Sequence, residues 1–455
     1  MWKACNARWS SAATLLLLGG LCSALAFGQD LEPFDEKTDY DYGLEAFNGA
    51  HVEVALDRAG FTWPEGGRGE TVLLEIRIQR SRSDSPSIEA RGGGAASSQH
   101  FEKGARGRRF LDLSRQARRV RAGDRVELRS NGIRWQIGPT ALHFFANPEV
   151  ADRRVLVIAP HPDDAEIAAF GVYRAARADV VTVTSGDAGG QKFEALFPES
   201  GEHYRLKGWI RTWDSITVPF FGGIEPGRAR NLGFYDATLD RMWAVQPEAV
   251  EPALAVLEDP GFYRSLNVDE TLRARPFDST WKGLVGDLLA ELERVRPEIV
   301  LAAHPLLDRH RDHQFATIAL IEALEKWSGP CELYLYTNHA IHNEAFPLGP
   351  RQAMTGLPPW PGGELFAHRI YSHQLSPHEQ DLKLVALEAM HDLRPFDLRD
   401  GSFEEPSRRD RRRAEKVDYF RRGPRPNEIF FVVSKASAIR LREAFLSGQA
   451  GGASL

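Results

Sequence analysis

The chain has 455 residues, of which 42% are hydrophobic, 26% charged and 10% aromatic, and its formal net charge is −6. This is the balance of a globular protein with enough apolar residues for a core, so a chain that is disordered throughout is excluded. The negative charge also excludes a nucleic-acid binder that relies on general electrostatic attraction, and the length favours two domains.

The N-terminus has the features of a secretory signal peptide. Lys3 and Arg8 provide positive charge, residues 12–21 form a short apolar run, and Ala-Leu-Ala at 24–26 matches an A-x-A cleavage site. The apolar run is too short for a good membrane anchor, so no stable membrane span is expected. We therefore expect residues 1–26 to be cleaved and the protein to be exported, either to a bacterial periplasm or to the extracellular space.

Residues 39–150 are predicted to form a small antiparallel β-sandwich. Apolar and polar residues alternate at 74–79, which is the pattern of a half-buried strand. Strand-like residues on both sides of Asn131-Gly132 predict a hairpin with a type I′ turn. Residues 81–108 are rich in Gly, Ser and Arg, which predicts a mobile loop. No candidate catalytic cluster occurs in this segment.

From residue 151 to about residue 435 the pattern is that of an α/β domain, with a Rossmann-like, doubly wound and mostly parallel sheet. Continuous apolar runs predict strands that are buried on both faces, at 155–159, 180–184, 299–303 and 333–336. Helical periodicity predicts helices between them, from 165, at 284–295 and at 314–327. Ligands bind at the carboxyl ends of the strands in such sheets. The remaining residues, 436–455, are predicted to form a C-terminal tail.

Two polar clusters follow predicted strands, where this rule places a site. The first is His161-Pro162-Asp163-Asp164, and the second comprises His304 and the run from Asp308 to His313. Together they offer the nitrogen and oxygen ligands and the proton-transfer groups of a catalytic zinc site, in which bound water has a pKa near ~7. For the first cluster alone, an Asp-Asp pair that only caps a helix is an alternative.

These motifs resemble the PIG-L/LmbE-like N-acetylglucosaminyl deacetylase family, which includes the mycothiol- and bacillithiol-pathway deacetylases. The resemblance covers residues 153–330. Residues 160–167 are similar to the first motif of the family, residues 186–189 to its turn after the second strand, and residues 310–313 to its second motif. The resemblance implies a metal-dependent N-deacetylase that acts on an N-acetylated amino sugar.

The resemblance also implies roles for individual residues. The metal ligands would be His161, Asp164 and His313. The expected ion is Zn²⁺, although sites of this kind also accept Fe²⁺ or Co²⁺. Asp163 would be the general base, and His310 would stabilise the oxyanion. Asp312 would orient one of the histidines.

Two further positions resemble the residues of the family that contact the sugar. These are Arg211 and Asp236, with Arg205 as an alternative to Arg211. Residues 237–283 look like an insertion relative to family members with small substrates, and its aromatic residues are more typical of local core than of a sugar platform. His339 and His342 follow the predicted strand 333–336 and could line the cleft, but they are expected to be loop-surface residues.

Two other functions fit part of the sequence. The run Asp308-x-His310-x-Asp312-His313 is similar to a motif of metallo-β-lactamase-type hydrolases, but it lacks the first histidine of that motif and leaves His161 unexplained. A catalytically inactive, secreted glycan-binding protein is the other alternative. The complete set of candidate ligands argues against it, and metal analysis would distinguish the two.

Overall fold

The computed structural model describes residues 35–190, 192–193, 196–394 and 418–451. The predicted signal peptide, residues 1–26, lies outside these ranges. Within them, no helix combines the length and the apolar character that crossing a membrane requires.

The N-terminal part consists of two antiparallel sheets and one short helix, α1 (Ser114–Ala117). The strands are β1 (Ala50–Leu56), β2 (Gly60–Thr62), β3 (Thr71–Ser81), β4 (Ser87–Gly92), β5 (Ala95–His100), β6 (Gly107–Asp112), β7 (Arg125–Asn131), β8 (Ile133–Trp135) and β9 (Gly138–Phe145). One sheet has the order β1-β9-β3-β6 with β8 paired to β3, and the other has the order β2-β7-β4-β5. Ile76 of the first sheet and Ile88 of the second are fully buried in the same apolar cluster, so the two sheets share an interior.

Two local predictions for this part are wrong. The segment expected to be a mobile loop contains the hairpin β4–β5, whose two-residue turn at Gly93-Gly94 has positive φ angles of 57° and 76°. No hairpin forms at Asn131-Gly132, because β7 pairs with β2 and β4 while β8 pairs with β3 in the other sheet. Gly132, at φ 75°, is where the chain crosses between the sheets. Glycine permits both turns, and the available partner strands decide which one closes a hairpin.

The rest of the chain forms an α/β unit around a seven-stranded sheet. Its strands are β10 (Arg154–Ala159), β11 (Arg177–Thr184), β12 (Ala229–Phe234), β13 (Ile299–Ala303), β14 (Glu332–Tyr336), β15 (Arg369–Gln374) and β16 (Asn427–Ser434). The order is β12-β11-β10-β13-β14-β16-β15. The pairs from β12 to β14 are parallel, and β16 and β15 complete the sheet with antiparallel pairs. The predicted α/β class is confirmed, and the strand order reverses between β10 and β13.

Helices cover both faces of this sheet. They are α2 (Asp164–Ala168), α3 (Phe170–Ala175), α4 (Ser200–Thr217), α5 (Leu239–Ala244), α6 (Glu270–Ala274), α7 (Trp281–Val295), α8 (Arg311–Lys326), α9 (Pro377–Ala389), α10 (Tyr419–Arg422) and α11 (Lys435–Gly451). Short 3₁₀ turns occur at Leu44–Ala46, Val218–Gly222, Arg264–Leu266 and His391–Leu393. Apolar side chains of α7, α8 and α11 pack on one face, and those of α2, α3 and α9 on the other.

Residues of the predicted insertion, and of the part of the predicted tail that the structure describes, contribute to the core. Within residues 237–283, Tyr263 is fully buried, and Trp243, Phe262 and Phe277 pack against the same cluster, which agrees with their interpretation as local core. Helix α11 (Lys435–Gly451) takes up most of the predicted tail, and its apolar residues Leu441 and Phe445 are buried in that cluster. The sequence of α11 has few large apolar residues, which is why it did not suggest a packed element.

The first sheet of the N-terminal part is joined to the seven-stranded sheet by a buried polar network. Ser372 Oγ on β15 donates to Asp112 Oδ2 over 2.6 Å, and Asn427 Nδ2 on β16 donates to the same oxygen over 3.0 Å. Thr71 Oγ1 accepts from Ser372 N at 2.8 Å. Tyr42 from the N-terminal segment also stacks on Phe431 of β16, at a centroid distance of 5.7 Å. The N-terminal part therefore contributes to the core of the α/β unit.

Candidate metal and catalytic site

The first polar cluster lies at the carboxyl end of β10, beside the point where the strand order reverses. Asp163 occupies the N-cap position of α2 with φ 123°, a strained conformation for a residue other than glycine, and its side chain makes no capping hydrogen bond. Its Oδ2 atom instead lies 3.0 Å from Nη2 of Arg211, on α4. The capping alternative therefore does not account for the Asp163 side chain.

The second cluster lies in the loop between β13 and α8 and in the first turn of α8. His310 is the N-cap residue, and Asp312 and His313 follow inside the helix, where both side chains are fully buried. The ring of His310 is half-buried and lies 4.6 Å from the ring of His161, measured between centroids. The loop and the helix thus bring the two predicted motifs into contact.

The three predicted ligand residues form a nearly equilateral triangle of donor atoms. His161 Nδ1 lies 3.1 Å from His313 Nε2 and 3.3 Å from Asp164 Oδ2, and the last two atoms are 3.1 Å apart. Tetrahedral zinc, with ligand bonds of about 2.0–2.1 Å, separates its ligand atoms by about 3.3–3.4 Å. The residues present therefore fit a small divalent cation.

The electrostatics of the triangle also favour a cation. Burial lowers the pKa of His313, but the carboxylates of Asp164 and Asp308 outweigh burial and raise this pKa to about 10. In the same way, Asp236 and Asp164 raise the pKa of the buried His161 well above its ordinary value. The surrounding carboxylates thus favour positive charge at this place. Protons on the two imidazoles can provide that charge, and a bound divalent cation can provide it instead.

Other groups of donor atoms lie within the same space. His161, His310 and His313 each place a ring nitrogen within 4.8 Å of the others, and so do the donor atoms of His161, Asp236 and Asp312. The Asp312 carboxylate is already engaged, because Oδ2 accepts from Ala237 N at 2.6 Å and Oδ1 from Leu239 N at 3.0 Å. Oδ2 also lies 3.3 Å from His161 Nε2, where it can orient that ring.

The surroundings of Asp163 and His310 shift the pKa of each side chain in the direction that its proposed role needs. Burial raises the pKa of Asp163 to about 7, although the nearby Arg211 guanidinium opposes this shift. A carboxyl group with this pKa can take up and release a proton near neutral pH. Burial, together with the neighbouring imidazoles of His161 and His313, lowers the pKa of His310 well below its ordinary value. These surroundings favour the neutral form of the His310 imidazole.

The structure brings both predicted sugar-contacting residues into the site. Arg211 is buried between Pro162 O, at 2.9 Å from Nη2, and the Asp392 carboxylate, at 3.6 Å from Nη1. The alternative residue, Arg205, lies beside Glu202 at 3.9 Å, on a different side of α4. Asp236 Oδ1 lies 3.1 Å from His161 Nε2. Asp236 therefore contacts a predicted metal ligand.

Three residues to which the sequence assigned no role in the site contact this cluster. Asp308 Oδ2 lies 3.1 Å from His313 Nδ1, Asn338 Nδ2 donates to Asp164 Oδ1 over 2.7 Å, and the His339 ring lies 5.1 Å from the His313 ring. His339 is thus part of the cluster rather than a surface residue. Asn338 and His339 follow β14, so their position agrees with the rule that placed the other residues at strand ends.

The comparisons with known proteins agree with the motifs. Residues 156–324 match the model of the PIG-L family, described as GlcNAc-PI de-N-acetylase, so the predicted resemblance to that family is confirmed. A comparison with curated proteins found no match.

Among solved structures, the chain is similar at 16% identity to three proteins. For the A40926 pseudoaglycone deacetylase Dbv21 the similarity covers 62% of this chain and 98% of that chain, with a TM-score of 0.32. For the zinc-inhibited teicoplanin deacetylase Orf2 it covers 52% and 83%, with a TM-score of 0.30. For GalB, the 4-carboxy-2-hydroxymuconate hydratase of Pseudomonas putida KT2440, it covers 52% and 78%, with a TM-score of 0.31. Identities and TM-scores of this size say nothing about activity.

Proposed function

We propose that the protein is an exported, zinc-dependent deacetylase that hydrolyses the N-acetyl amide of an amino sugar. The observation that carries this proposal is the triangle of His161, Asp164 and His313, with donor atoms 3.1–3.3 Å apart and a buried carboxyl group, Asp163, directly beside it. A ligand set with a neighbouring proton acceptor is what metal-assisted amide hydrolysis needs.

When bound, zinc would supply Lewis-acid polarisation of the acetyl carbonyl and acidification of water towards neutrality. Asp163 accepts the proton of the attacking water and returns it to the leaving amine nitrogen, while Arg211 holds the Asp163 carboxylate in place through the 3.0 Å contact. His310, neutral and half-buried at the edge of the cluster, donates a hydrogen bond to the oxygen on which negative charge develops.

An N-acetylated amino sugar is the proposed substrate for two reasons. The family that matches residues 156–324 is described by a de-N-acetylase of a GlcNAc-containing molecule. Charged side chains that can bind sugar hydroxyl groups, Arg211 and Asp236, also lie within 4.0 Å of each other next to the triangle. The proposed substrates are therefore GlcNAc-type glycans, glycoconjugates or glycolipids.

Export and the division into domains are part of the same proposal. Export rests on the charged start, the apolar run and the Ala-Leu-Ala site within residues 1–26. The mature chain would then consist of a β-sandwich-like part, residues 39–150, and a Rossmann-like deacetylase part, residues 151–435. An N-terminal sequence near Phe27 for protein recovered outside the cytoplasm is the expected result, and an uncleaved chain found only in the cytosol would contradict it.

The test of the activity is an acetate-release assay on N-acetylated sugars, polysaccharides and glycolipids, with and without a chelator. We expect about one zinc per chain, acetate release from at least one substrate, loss of activity with chelator and recovery with added zinc. The His313→Ala variant, which removes one ligand, is the matched negative control. A folded, zinc-loaded protein that releases no acetate from any substrate would support the glycan-binding alternative instead.

A further inference from the structure

We propose that Asn338 is a positioning residue that fixes two of the metal ligands at once, and that the metal site is therefore completed from outside the family-matched segment, residues 156–324. This inference rests on the proposed function, because it concerns the ligands assigned there. Asn338 follows β14 by two residues, and only 3% of its surface is exposed.

The first link runs through the side chain of Asn338. Its Nδ2 donates to Asp164 Oδ1 over 2.7 Å, while the other oxygen of the same carboxylate, Oδ2, faces His161 and His313. The amide therefore holds the carboxylate so that one oxygen is directed to the centre of the triangle. An amide is suited to this position because it donates a hydrogen bond without adding a charge that would compete for the carboxylate.

The second link runs through the backbone of Asn338. Its N–H donates to Asp308 Oδ2 over 2.9 Å, and His339 N donates to the same oxygen over 3.0 Å. Asp308 is fully buried, and these two backbone N–H groups fix the place of its Oδ2 atom.

Asp308 in turn contacts a proposed ligand, because its Oδ2 lies 3.1 Å from His313 Nδ1. The other ring nitrogen of His313, Nε2, is the atom that lies 3.1 Å from both His161 Nδ1 and Asp164 Oδ2. A carboxylate at one ring nitrogen of a ligating histidine orients the ring and leaves the other nitrogen for the metal. The backbone of Asn338 thus positions His313 through Asp308, while its side chain positions Asp164 directly.

Asn338 is itself held from the C-terminal part of the chain. Arg422, at the end of α10, donates from Nη2 to Asn338 O over 2.6 Å and from Nε to Phe346 O over 2.7 Å. Arg422 is 4% exposed, so these contacts are shielded from solvent. Residues from three separate stretches of the chain, around 308, 338 and 422, therefore form one connected support for the ligands.

The test compares zinc affinity, measured by chelator competition on the full chain, for Asn338→Asp, Asn338→Ala and a control. Asn338→Asp replaces the donor with an oxygen facing Asp164, and Asn338→Ala removes only the side-chain link. The control is Asn427→Asp, because Asn427 is 1% exposed and also donates to a buried carboxylate, Asp112, that is not a proposed ligand. We expect both Asn338 variants to lose about 10–100-fold in zinc affinity.

We also expect the absorption spectrum of the Co²⁺-substituted protein to change in the Asn338 variants, because ligand geometry changes. Asn427→Asp should lower the unfolding temperature and leave zinc affinity and the Co²⁺ spectrum as in the wild type. Wild-type zinc affinity in both folded Asn338 variants would overturn the inference alone, whereas a wild-type chain that binds no zinc would overturn the proposed function. A variant that folds only with added zinc would support the inference, and one that folds at no zinc concentration would overturn it.

Discussion

At the scale of single residues, Asp163 and Asp164 show how neighbours in sequence acquire different chemistry. One oxygen of the Asp164 carboxylate, Oδ2, faces the imidazoles of His161 and His313. The other oxygen, Oδ1, accepts a hydrogen bond from Asn338. The Asp163 carboxylate points to Arg211, and burial raises its pKa to about 7. The backbone of Asp163 is strained, at φ 123°, a cost that is typical of residues at functional sites.

The two aspartates should therefore respond differently to removal of their charge. We expect Asp163→Asn to retain zinc and to lose ~10²–10⁴-fold in kcat, the usual contribution of a general base. Asp164→Asn should bind zinc more weakly and regain part of its activity when zinc is in excess. Metal analysis and steady-state kinetics on both variants check this, and near-normal kcat in metal-loaded Asp163→Asn would remove the general-base assignment.

Arg211 offers a second test at this scale. Its Nη2 atom donates to both Pro162 O and Asp163 Oδ2, and its Nη1 atom lies near the carboxylates of Asp236 and Asp392. A lysine has only one nitrogen in its side chain and cannot make contacts in all these directions. We expect Arg211→Lys to lower kcat by up to ~10²-fold through misplacement of Asp163. Arg205→Lys, on the same helix but outside the site, is the matched control. Equal kinetics for the two variants would show that Arg211 does not position the base.

At the scale of elements, helix α11 shows that residues with the appearance of a tail can be part of the core. Leu441 is fully buried and Phe445 is 4% exposed, and the Phe445 ring lies 5.7 Å from that of Phe315 on α8. Helix α8 carries His313, so α11 supports the helix that presents a proposed metal ligand. The apolar residues of α11 are too sparse for its sequence to indicate this packing.

We expect Leu441→Ala to lower the free energy of unfolding by ~2–5 kcal/mol, because it leaves a cavity between α11 and the buried core. Glu443→Ala, at an exposed position of the same helix, should change it by ~0.5 kcal/mol or less. Denaturant unfolding of the two variants measures the difference. A Leu441→Ala variant as stable as the Glu443→Ala control would mean that α11 is not packed as described.

At the scale of the whole molecule, the N-terminal sheets and the α/β unit form one folded body. Three buried residues meet at the junction. Ser372 and Asn427, from the α/β unit, both donate hydrogen bonds to the carboxylate of Asp112, from the N-terminal part. Tyr42 and Phe110 belong to the same apolar cluster as the helices that flank the seven-stranded sheet. The absence of catalytic residues before His161 therefore does not make residues 39–150 dispensable.

A chain that starts at Asn147 tests this directly. We expect it to be insoluble or to unfold without a cooperative transition, because Ser372 and Asn427 would lose buried partners and apolar side chains of the sheet would face water. A chain that starts at residue 35 is the control and should behave like the mature protein. A soluble, zinc-binding fragment with a cooperative transition would show that the α/β unit folds alone.

The stability of the whole molecule should also depend on pH through the buried His143, whose pKa burial lowers to about 4. Its pKa in the unfolded chain is about 6.5. Between these values the unfolded state binds more protons than the folded state, so stability falls as pH decreases from about 6.5 to about 4, by roughly 1 kcal/mol per pH unit at most. His143→Gln should flatten this slope in unfolding measurements, and an unchanged slope would contradict the assignment.

The sequence by itself determined the α/β class, the buried strands and the two motifs. Runs such as 155–159 and 299–303 are apolar at every position, a pattern that indicates a strand covered on both faces. The motifs come directly after such strands. A local sequence pattern is sufficient to predict a strand or a motif because all the residues that define it are close together in the chain. The tertiary structure decided the rest, namely the partners of β7 and β8, the packing of α11 and the support of the ligands by Asp308 and Asn338. These features depend on contacts between residues that are distant in sequence, and no local pattern encodes which distant group completes a hydrogen bond or a core.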